Sequence, residues 1–199
     1  MGEKDHYHHG ALRAALIAEA LKVLESDGMN GLSLRGLAEA TGVSKTAPYR
    51  HFADKRDLLI SLAAEGFRMF ADTLEAAVGT NPPLETADSL AGIRSLYRAY
   101  IDFAQSQPEL YRLMFSKLGY SLHSEACRLN SMRALGTLTR SIEEAQRAGW
   151  RSRQDPRALV LSVFAGVHGW AGLLLDGLVP EGFIGPHEDP IAFSQALLD

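Results

Sequence analysis

The fold of this chain is decided by residues 33–59, which have the sequence SLRGLAEATGVSKTAPYRHFADKRDLL. The serine that begins this stretch is a good N-cap for a short helix, and Gly42 then provides the positive φ that a tight turn requires. A second short helix is predicted from Ser44, and the small side chain of Ala38 lies where two such helices would cross. The stretch therefore predicts a helix-turn-helix over residues 33–52.

The rest of the chain has the periodicity of helices. Apolar residues recur three and four positions apart, for example at Leu12, Leu16 and Ala20, and no stretch alternates polar and apolar residues as a half-buried strand does. We therefore predict an all-α fold with about nine helices and no sheet. The predicted helices span about residues 10–27, 33–41, 44–52, 54–70, 86–105, 108–115, 124–148, 156–176 and 190–198.

A break between two parts of the chain is indicated by residues 79–83, because two prolines and a glycine cannot continue a helix. A chain of 199 residues is long enough for a small module joined to a medium one. We predict a flexible N-terminal arm over residues 1–9, a helix-turn-helix domain over residues 10–70 and a second helical domain over residues 71–199.

Composition excludes several classes of protein. Hydrophobic residues make up 46% and charged residues 22%, which is the balance of an ordinary globular chain and not of a disordered one. A single cysteine, Cys127, allows no intramolecular disulfide and no zinc site made of cysteines. The formal net charge of −4 is not that of a protein that coats nucleic acid through general basicity. Residues 44–56 nevertheless hold four basic side chains against one acidic, so a polyanion would bind there.

The segment from Ala158 to Leu175 carries no charged residue and approaches the length of a membrane span. It also contains a histidine, a serine and three glycines, so we interpret it as a helix of the core or of a subunit contact. Residues 1–10 are polar and have no apolar core of the kind that a secretory signal requires. We expect the protein to act in the reduced cytoplasm.

The outer face of the second helix of the motif is suited to DNA. Lys45, Thr46, Ala47 and Arg50 lie on it, and their donors, hydroxyl and small apolar groups match the edges of bases in a major groove. The alternative is that these charges form a solvated helix face. Their place directly after the predicted turn favours the DNA-binding interpretation.

The motifs in this stretch resemble those of the tetracycline repressor (TetR) family. They are Gly31-x-Ser33, Leu34-x-x-Leu37-Ala38-x-x-Thr41-Gly42-Val43-Ser44, Pro48-Tyr49-Arg50-His51-Phe52 and Asp54-Lys55-x-x-Leu58-Leu59. The resemblance implies that residues 44–51 form a recognition helix. In that helix Lys45, Thr46 and Arg50 would lie nearest the bases, while Tyr49, His51 and Lys55 would hold phosphates. Ser33, Arg35 and Ser44 complete the implied DNA-binding set.

Further along, residues 107–115 and the run Val167-His168-Gly169-Trp170 resemble the C-terminal domains of TetR-like proteins that are known by a Trp-His-Gly signature. Here the order is His-Gly-Trp. The resemblance implies that the middle helices enclose a small ligand whose binding changes the spacing of two DNA-binding heads. The candidate lining residues are Tyr97, Tyr100, Ile101, Met114, Cys127, Leu135, Leu138, Phe164 and His168.

This candidate lining is mostly apolar with a few polar tips, which indicates an uncharged or weakly polar effector of unknown identity. Each residue could instead be ordinary core. His168 is the best single candidate, because an imidazole in an apolar helix needs a partner.

Reading a palindromic site needs two copies of the motif about one helical turn apart, or a multiple of it, so a motif of this size implies a homodimer. Glycines three residues apart in the predicted helix over 156–176 would let another backbone approach closely. The candidate contact residues are Gly166, Gly169, Trp170, Gly172 and Leu173. The alternative is that this helix belongs to the core of one subunit.

Together these features predict a ligand-responsive transcriptional regulator, a repressor rather than an activator, that binds a pseudo-palindromic DNA operator as a homodimer. The alternatives are an activator of the same fold and a protein that binds DNA without sequence preference. We expect no enzymatic activity and no cofactor, because the sequence has no Gly-rich phosphate loop, paired metal ligands or nucleophile elbow. His6, His8 and His9 could hold a metal or be the remains of a purification tag, but histidines on a flexible segment are a poor preformed site, so we expect no metal. Tyr7-His8-His9-Gly10-x-Leu12-Arg13 instead resembles the segment that leads into the first helix of TetR-family proteins, which implies a partly ordered arm near the DNA.

Overall fold

The structure is a computed structural model that describes residues 3–79, 89–117, 124–184 and 189, with the backbone alone for residues 3–10. These residues form seven α-helices and one 3₁₀ helix, and they contain no strand. The α-helices are α1 (Glu3–Gly31), α2 (Leu34–Ala40), α3 (Lys55–Gly79), α4 (Ala91–Ser106), α5 (Pro108–Phe115), α6 (Glu125–Arg147) and α7 (Pro156–Leu175). The prediction of an all-α fold is confirmed for the part of the chain described.

The predicted count of about nine helices is not matched in the described residues. The helix predicted over residues 44–52 is only a short 3₁₀ helix, Pro48–Arg50, with turns before it. Proline lacks the amide hydrogen that would donate to the carbonyl four residues earlier, so α-helical bonding is not propagated there. The tail helix predicted over residues 190–198 lies outside the described residues.

Several helix ends are set by the local signals that the sequence contains. Ser33, Asp54 and Asp155 each accept a hydrogen bond from a backbone amide two or three residues later, at 2.8–3.0 Å. They cap α2, α3 and α7 respectively. Gly28 interrupts α1 with a φ of 66°, and Gly42 follows α2 with a φ of 69°. Both glycines lie where the sequence predicts the end of a helix.

The N-terminal segment differs from its prediction. We expected a flexible arm over residues 1–9, but the backbone is helical from Glu3 as part of α1. No proline interrupts this segment, and the glycine at position 10 disfavours a helix by only about 1 kcal/mol. The side chains of His6, His8 and His9 lie outside the described part of the chain.

The described residues form two compact units. The first consists of Met1–Phe67 and Gln107–Arg128, and the second of Arg68–Ser106 and Leu129–Asp199. This division differs from the predicted boundary at residue 70 because α5 belongs with the helix-turn-helix. The carboxylate of Glu25 on α1 accepts hydrogen bonds from the amides of Leu110 at 2.9 Å and Glu109 at 3.4 Å. The predicted domain limits remain a prediction.

The core of the first unit is built from one apolar face of each of its helices. Its buried residues include Leu16, Ala20 and Leu24 of α1, Leu34 and Leu37 of α2, Leu58 and Leu62 of α3, and Leu110, Leu113 and Met114 of α5. α3 packs tightly against α5 at Gly66, where a Cβ atom would lie 2.7 Å from Sδ of Met114. This packing fixes the N-terminal half of α3, residues 55–67, within the unit that carries the turn.

In the second unit α4 packs against α7. The ring of Tyr100 on α4 meets that of Phe70 edge to face, with centroids 4.9 Å apart. Arg133 of α6 pairs with Asp72 at 2.9 Å and with Glu75 at 2.7 Å, both on the C-terminal half of α3. Because these side chains are partly exposed, solvent screens the ion pairs, and the aromatic packing contributes more to the unit.

Candidate nucleic-acid interface

α2 ends in the tight turn that the sequence predicts. The amide of Val43 donates to the carbonyl of Ala38 at 3.0 Å, and the hydroxyl of Thr41 donates to the carbonyl of Leu37 at 2.7 Å. The positive φ of Gly42 would strain any residue with a side chain. Glycine therefore lets the chain leave α2 directly into the segment that follows.

We call residues 44–52 the recognition segment. The amide of Ala47 donates to the carbonyl of Ser44 at 2.9 Å, and the amide of Arg50 donates to the carbonyl of Ala47 at 3.1 Å. Bonds that reach back three residues are those of a 3₁₀ turn, so the regular recognition helix expected over residues 44–51 is wrong. The segment follows the turn directly, and its role in recognising DNA stays a prediction.

Two buried side chains fix the orientation of the recognition segment. Pro48 is buried, and Phe52 has an exposed fraction of 0%. Between them Tyr49 is 56% exposed and Arg50 is exposed as well. A phenol and a guanidinium therefore point outward side by side, and these groups suit phosphate oxygens and base edges.

The start of α3 brings further cations next to this segment. Oδ1 of Asp54 accepts from the amide of Asp57 at 2.8 Å, and Oδ2 of Asp57 accepts from the amide of Ala53 at 2.9 Å. This reciprocal capping fixes the first turn of the helix. Lys55 and Arg56 are exposed in that turn, so their charges lie close to the recognition segment along the chain.

All nine residues predicted to contact DNA lie in the first unit, and eight are exposed while His51 is partly buried. Oγ of Ser33 accepts the capping hydrogen bond of α2, but its own proton can still be donated to a phosphate. Nε of Arg35 lies 3.4 Å from Oε1 of Glu39, an exposed pair that is weak enough to exchange for another anion. Oγ of Ser44 and Oγ1 of Thr46 lie 3.3 Å apart.

Sequence reasoning missed Arg13 of α1. Its guanidinium carbon lies 5.5 Å from the centroid of the Phe52 ring, and its Nη2 donates to Oγ of Ser61 at 3.1 Å. Helical periodicity places Arg13 on a polar face of α1 and contains no signal for a contact with residues so distant in the chain.

Seven of the nine predicted ligand-lining residues belong to the second unit. The hydroxyl of Tyr100 lies 2.9 Å from Nδ1 of His168, and the Phe164 ring stacks on the His168 ring with centroids 5.6 Å apart. Burial lowers the pKa of His168 and so favours its neutral ring, in which Nδ1 can accept a hydrogen bond from the Tyr100 hydroxyl. Tyr97, Ile101 and Leu138 are buried, whereas Leu135 is 39% exposed.

The other two predicted ligand-lining residues, Met114 and Cys127, belong to the first unit. Met114 is fully buried against Gly66, and Sγ of Cys127 donates to the carbonyl of Ile60 at 3.7 Å. Burial raises the pKa of the Cys127 thiol. Both side chains therefore fill the core around α3 in that unit.

α7 carries the residues predicted for a subunit contact. One stripe of this helix is exposed and uncharged, and it includes Leu161, Ala165, Gly166, Gly169 and Leu173. Gly172 and Trp170 are partly buried, and no atom lies within 4 Å of a Cβ built at Gly166, Gly169 or Gly172. By length and composition alone α7 could cross a membrane, since its mean hydropathy is 1.9, and 28% of its most apolar stretch is buried within the protein. An apolar helix with so much exposed surface favours a further contact.

Two family models match the chain. The model described as bacterial regulatory proteins of the TetR family matches residues 16–62, and the model described as the tetracyclin repressor-like C-terminal domain matches residues 93–199. The chain belongs to the TetR family. The relatives of this family are named as transcriptional repressors and activators of the HTH type, and the helix-turn-helix described above lies within the first match.

Individual relatives within the TetR family match different shares of the chain. It is 51% identical to the tetracycline repressor protein class C of Escherichia coli over 51 residues, and this match covers 26% of this chain and 23% of that protein. Over 103 residues it is 26% identical to the HTH-type transcriptional activator FasR of Mycolicibacterium smegmatis, which is 52% of this chain and 45% of that protein. The matches thus span less than half the length of these two relatives.

Among solved structures, a protein with unknown function from Rhodococcus sp. RHA1 is similar to this chain along nearly its whole length. The sequence identity is 34% and the TM-score 0.80, and the match covers 97% of this chain and 94% of that one. The architecture described above therefore recurs in a solved structure.

Proposed function

We propose that this TetR-family chain binds a pseudo-palindromic operator as a homodimer, represses transcription there, and is released by a small-molecule effector. The observation that carries the DNA-binding part is the outward presentation of Tyr49 and Arg50 between the buried anchors Pro48 and Phe52, beside the exposed Lys55. This arrangement lies where the sequence carries a local excess of positive charge. The cytoplasm is the expected place of action.

The side chains divide into two roles. Lys45, Thr46 and Arg50 read base edges, and the guanidinium of Arg50 can bond both acceptors of a guanine in the major groove. Tyr49, His51 and Lys55 hold phosphates, which set the register of the protein on the duplex and supply much of the affinity. Ser33, Arg35 and Ser44 add polar contacts at the start of α2 and of the recognition segment.

The two roles are separable by measurement. The probes are a duplex that the wild-type protein enriches from a random-sequence library and a scrambled duplex of the same composition. Arg50→Ala is expected to weaken binding to the selected duplex by about 1–3 kcal/mol and to relax specificity, whereas Lys55→Ala should weaken both duplexes alike and reduce the salt slope by about 1. Arg153→Ala, which removes an exposed charge from the second unit, is the matched control.

Unchanged affinity of both Arg50→Ala and Lys55→Ala would refute the proposed interface. A wild-type protein that binds the selected and scrambled duplexes equally would instead support the alternative of DNA binding without sequence preference, since a specific regulator prefers its site by about a thousandfold or more.

The proposed subunit contact is the exposed stripe of α7. Gly166, Gly169 and Gly172 leave room for a second backbone, while Trp170 and Leu173 supply apolar area. The same symmetry that joins two copies of α7 would present two recognition segments to the two halves of a palindrome.

The proposed effector site is the cluster of Tyr100, Phe164 and His168 in the second unit. Two aromatic rings and a neutral imidazole suit an apolar or weakly polar molecule, with Tyr97, Ile101, Leu135 and Leu138 of the same unit as the further candidates from sequence. An effector that prefers the released state a hundredfold supplies about 2.7 kcal/mol toward release. A compound that releases the wild-type protein should release Phe164→Ala less well, and equal release of both would contradict this site.

The alternative is that this chain activates transcription. It is a specific alternative, because the FasR relative is named as an activator. A reporter gene placed behind the selected duplex should be expressed less when the wild-type protein is present and recover with Arg50→Ala. Higher expression with the wild-type protein would establish activation instead.

A further inference from the structure

We propose that Arg13 is a positioning residue for sequence recognition: its guanidinium holds Phe52 and α3 together so that Tyr49 and Arg50 meet the operator in one orientation. This inference rests on the proposed operator binding. Arg13 is not one of the nine residues proposed above to contact DNA. It lies on α1, 20 residues before Ser33 in the sequence.

The geometry joins three elements of the first unit through one side chain. The guanidinium of Arg13 lies over the face of the Phe52 ring at 5.5 Å, a distance at which a cation is attracted to the ring. Nη2 of the same group donates to Oγ of Ser61 on α3 at 3.1 Å. Arg13 thus connects α1, the end of the recognition segment and the helix that carries Lys55.

The recognition segment needs such a connection more than a regular helix would. Its bonds are mostly those of 3₁₀ turns, which have poorer geometry than α-helical bonds, so its own backbone determines its orientation weakly. Phe52 closes the segment, and its amide donates to the carbonyl of Pro48 at 3.0 Å. A shift of the Phe52 ring would therefore move Pro48 and with it the two exposed side chains that follow.

Hydrogen bonds to base edges require that the side chains of the recognition segment be held in one orientation, whereas contacts to phosphates tolerate small rotations of the segment. Loss of Arg13 should therefore lower specific affinity more than non-specific affinity. A direct contact of Arg13 with a phosphate would lower both and would also reduce the dependence of affinity on salt. These signatures differ, so measurement can separate the two roles.

The test uses the full-length protein, the duplex selected from a random-sequence library and its scrambled counterpart, with affinities measured by fluorescence anisotropy over a range of salt concentrations. Arg13→Met keeps the length of the side chain but removes the cation and the donors. Lys22→Met is the matched control, because it removes one exposed charge from the same helix. Lys55→Ala provides the signature of a lost phosphate contact.

Arg13→Met is expected to weaken binding to the selected duplex about tenfold, to change binding to the scrambled duplex by less than about twofold, and to leave the salt slope unchanged. Lys22→Met should change neither affinity. Arg13→Lys, which keeps a cation near the ring, should recover part of the loss.

Ser61→Ala keeps the test decisive if Arg13→Met does not fold. Removal of the hydroxyl alone should weaken specific binding about twofold to fivefold. Where Arg13→Met does fold, the double variant should lose less than the product of the single effects, because both act through one contact. If Arg13→Met weakened binding to both duplexes equally and made the slope of log affinity against log salt concentration smaller by about one, the proposal would be overturned in favour of a phosphate contact. Wild-type affinity in both Arg13→Met and Ser61→Ala would overturn it as well, while a wild-type protein without preference for the selected duplex would refute the proposed function itself.

Discussion

Replacement of Gly169 by alanine tests the proposed subunit contact, because it should stabilise the single subunit but weaken the dimer. In a helix interior alanine is favoured over glycine by about 1 kcal/mol. No atom lies within 4 Å of a Cβ at Gly169, and the residue is exposed. Within a single subunit, therefore, Gly169→Ala should raise the free energy of unfolding.

If a second copy of α7 packs on this stripe, the added methyl group of Gly169→Ala should weaken dimerisation. An extra carbon forced into a close-packed contact costs about 1–3 kcal/mol, and a two-fold symmetric contact contains the substitution twice. Each 1.4 kcal/mol corresponds to about a tenfold change in a dissociation constant. We therefore expect Gly169→Ala to raise the dissociation constant of the dimer by at least about tenfold.

Gly136 in α6 is the matched control, since it too lies inside a helix with no atom within 4 Å of its Cβ position. Gly136→Ala should raise the free energy of unfolding by about 1 kcal/mol and leave association unchanged. The dissociation constant is measured by sedimentation velocity over a dilution series, and unfolding by urea titration at protein concentrations where the subunits are separate. If Gly169→Ala stabilised the chain as Gly136→Ala does and changed the dissociation constant by less than about twofold, the assignment of this stripe to the contact would be refuted.

Three further predictions concern the two units. Gly66→Ala should lower the free energy of unfolding by up to about 2 kcal/mol, because its Cβ would lie 2.7 Å from Sδ of the buried Met114 and this overpacking outweighs the gain of about 1 kcal/mol in helix propensity. Thermal unfolding that shows a gain in stability would contradict this packing. Glu25→Gln should destabilise by about 0.5–1 kcal/mol in urea titration, since it removes negative charge from the start of α5, and unchanged stability would show that the cap contributes nothing. Burial lowers the pKa of His168, so the unfolded chain binds a proton before the folded one does, and stability falls as the pH drops below about 6.5. His168→Asn keeps an acceptor near Tyr100 without titrating, and urea titrations should show a smaller loss between pH 7.5 and pH 5.5; a loss equal to that of the wild type would refute the assignment.

The turn after α2 shows why local structure could be predicted from the sequence. A glycine that permits positive φ and a serine that caps a helix act on atoms within three or four residues of themselves. The positions of Ser33 and Gly42 were therefore sufficient to place α2 and its turn, and most of the predicted DNA-binding residues are exposed because they occupy the polar face that periodicity indicates.

The recognition segment shows where such reasoning failed. Its spacing resembles a helix, but Pro48 lacks the amide that an α-helical bond needs, and the segment is held by Phe52 instead. The family resemblance also grouped Met114 with residues of α4 and α7, whereas the packing of α5 onto α1 and α3 buries Met114 in the first unit.

The sequence by itself determined that this chain is helical, where α2 begins and ends, and where a positively charged motif interrupts an otherwise acidic chain. Those properties depend on backbone chemistry and on periodicity, which operate over one or two helical turns. Only the tertiary structure decided that α5 docks through Glu25 and that Arg13 lies over Phe52. These contacts join residues about 40 and 85 positions apart, and no spacing rule encodes them because they depend on how whole helices pack.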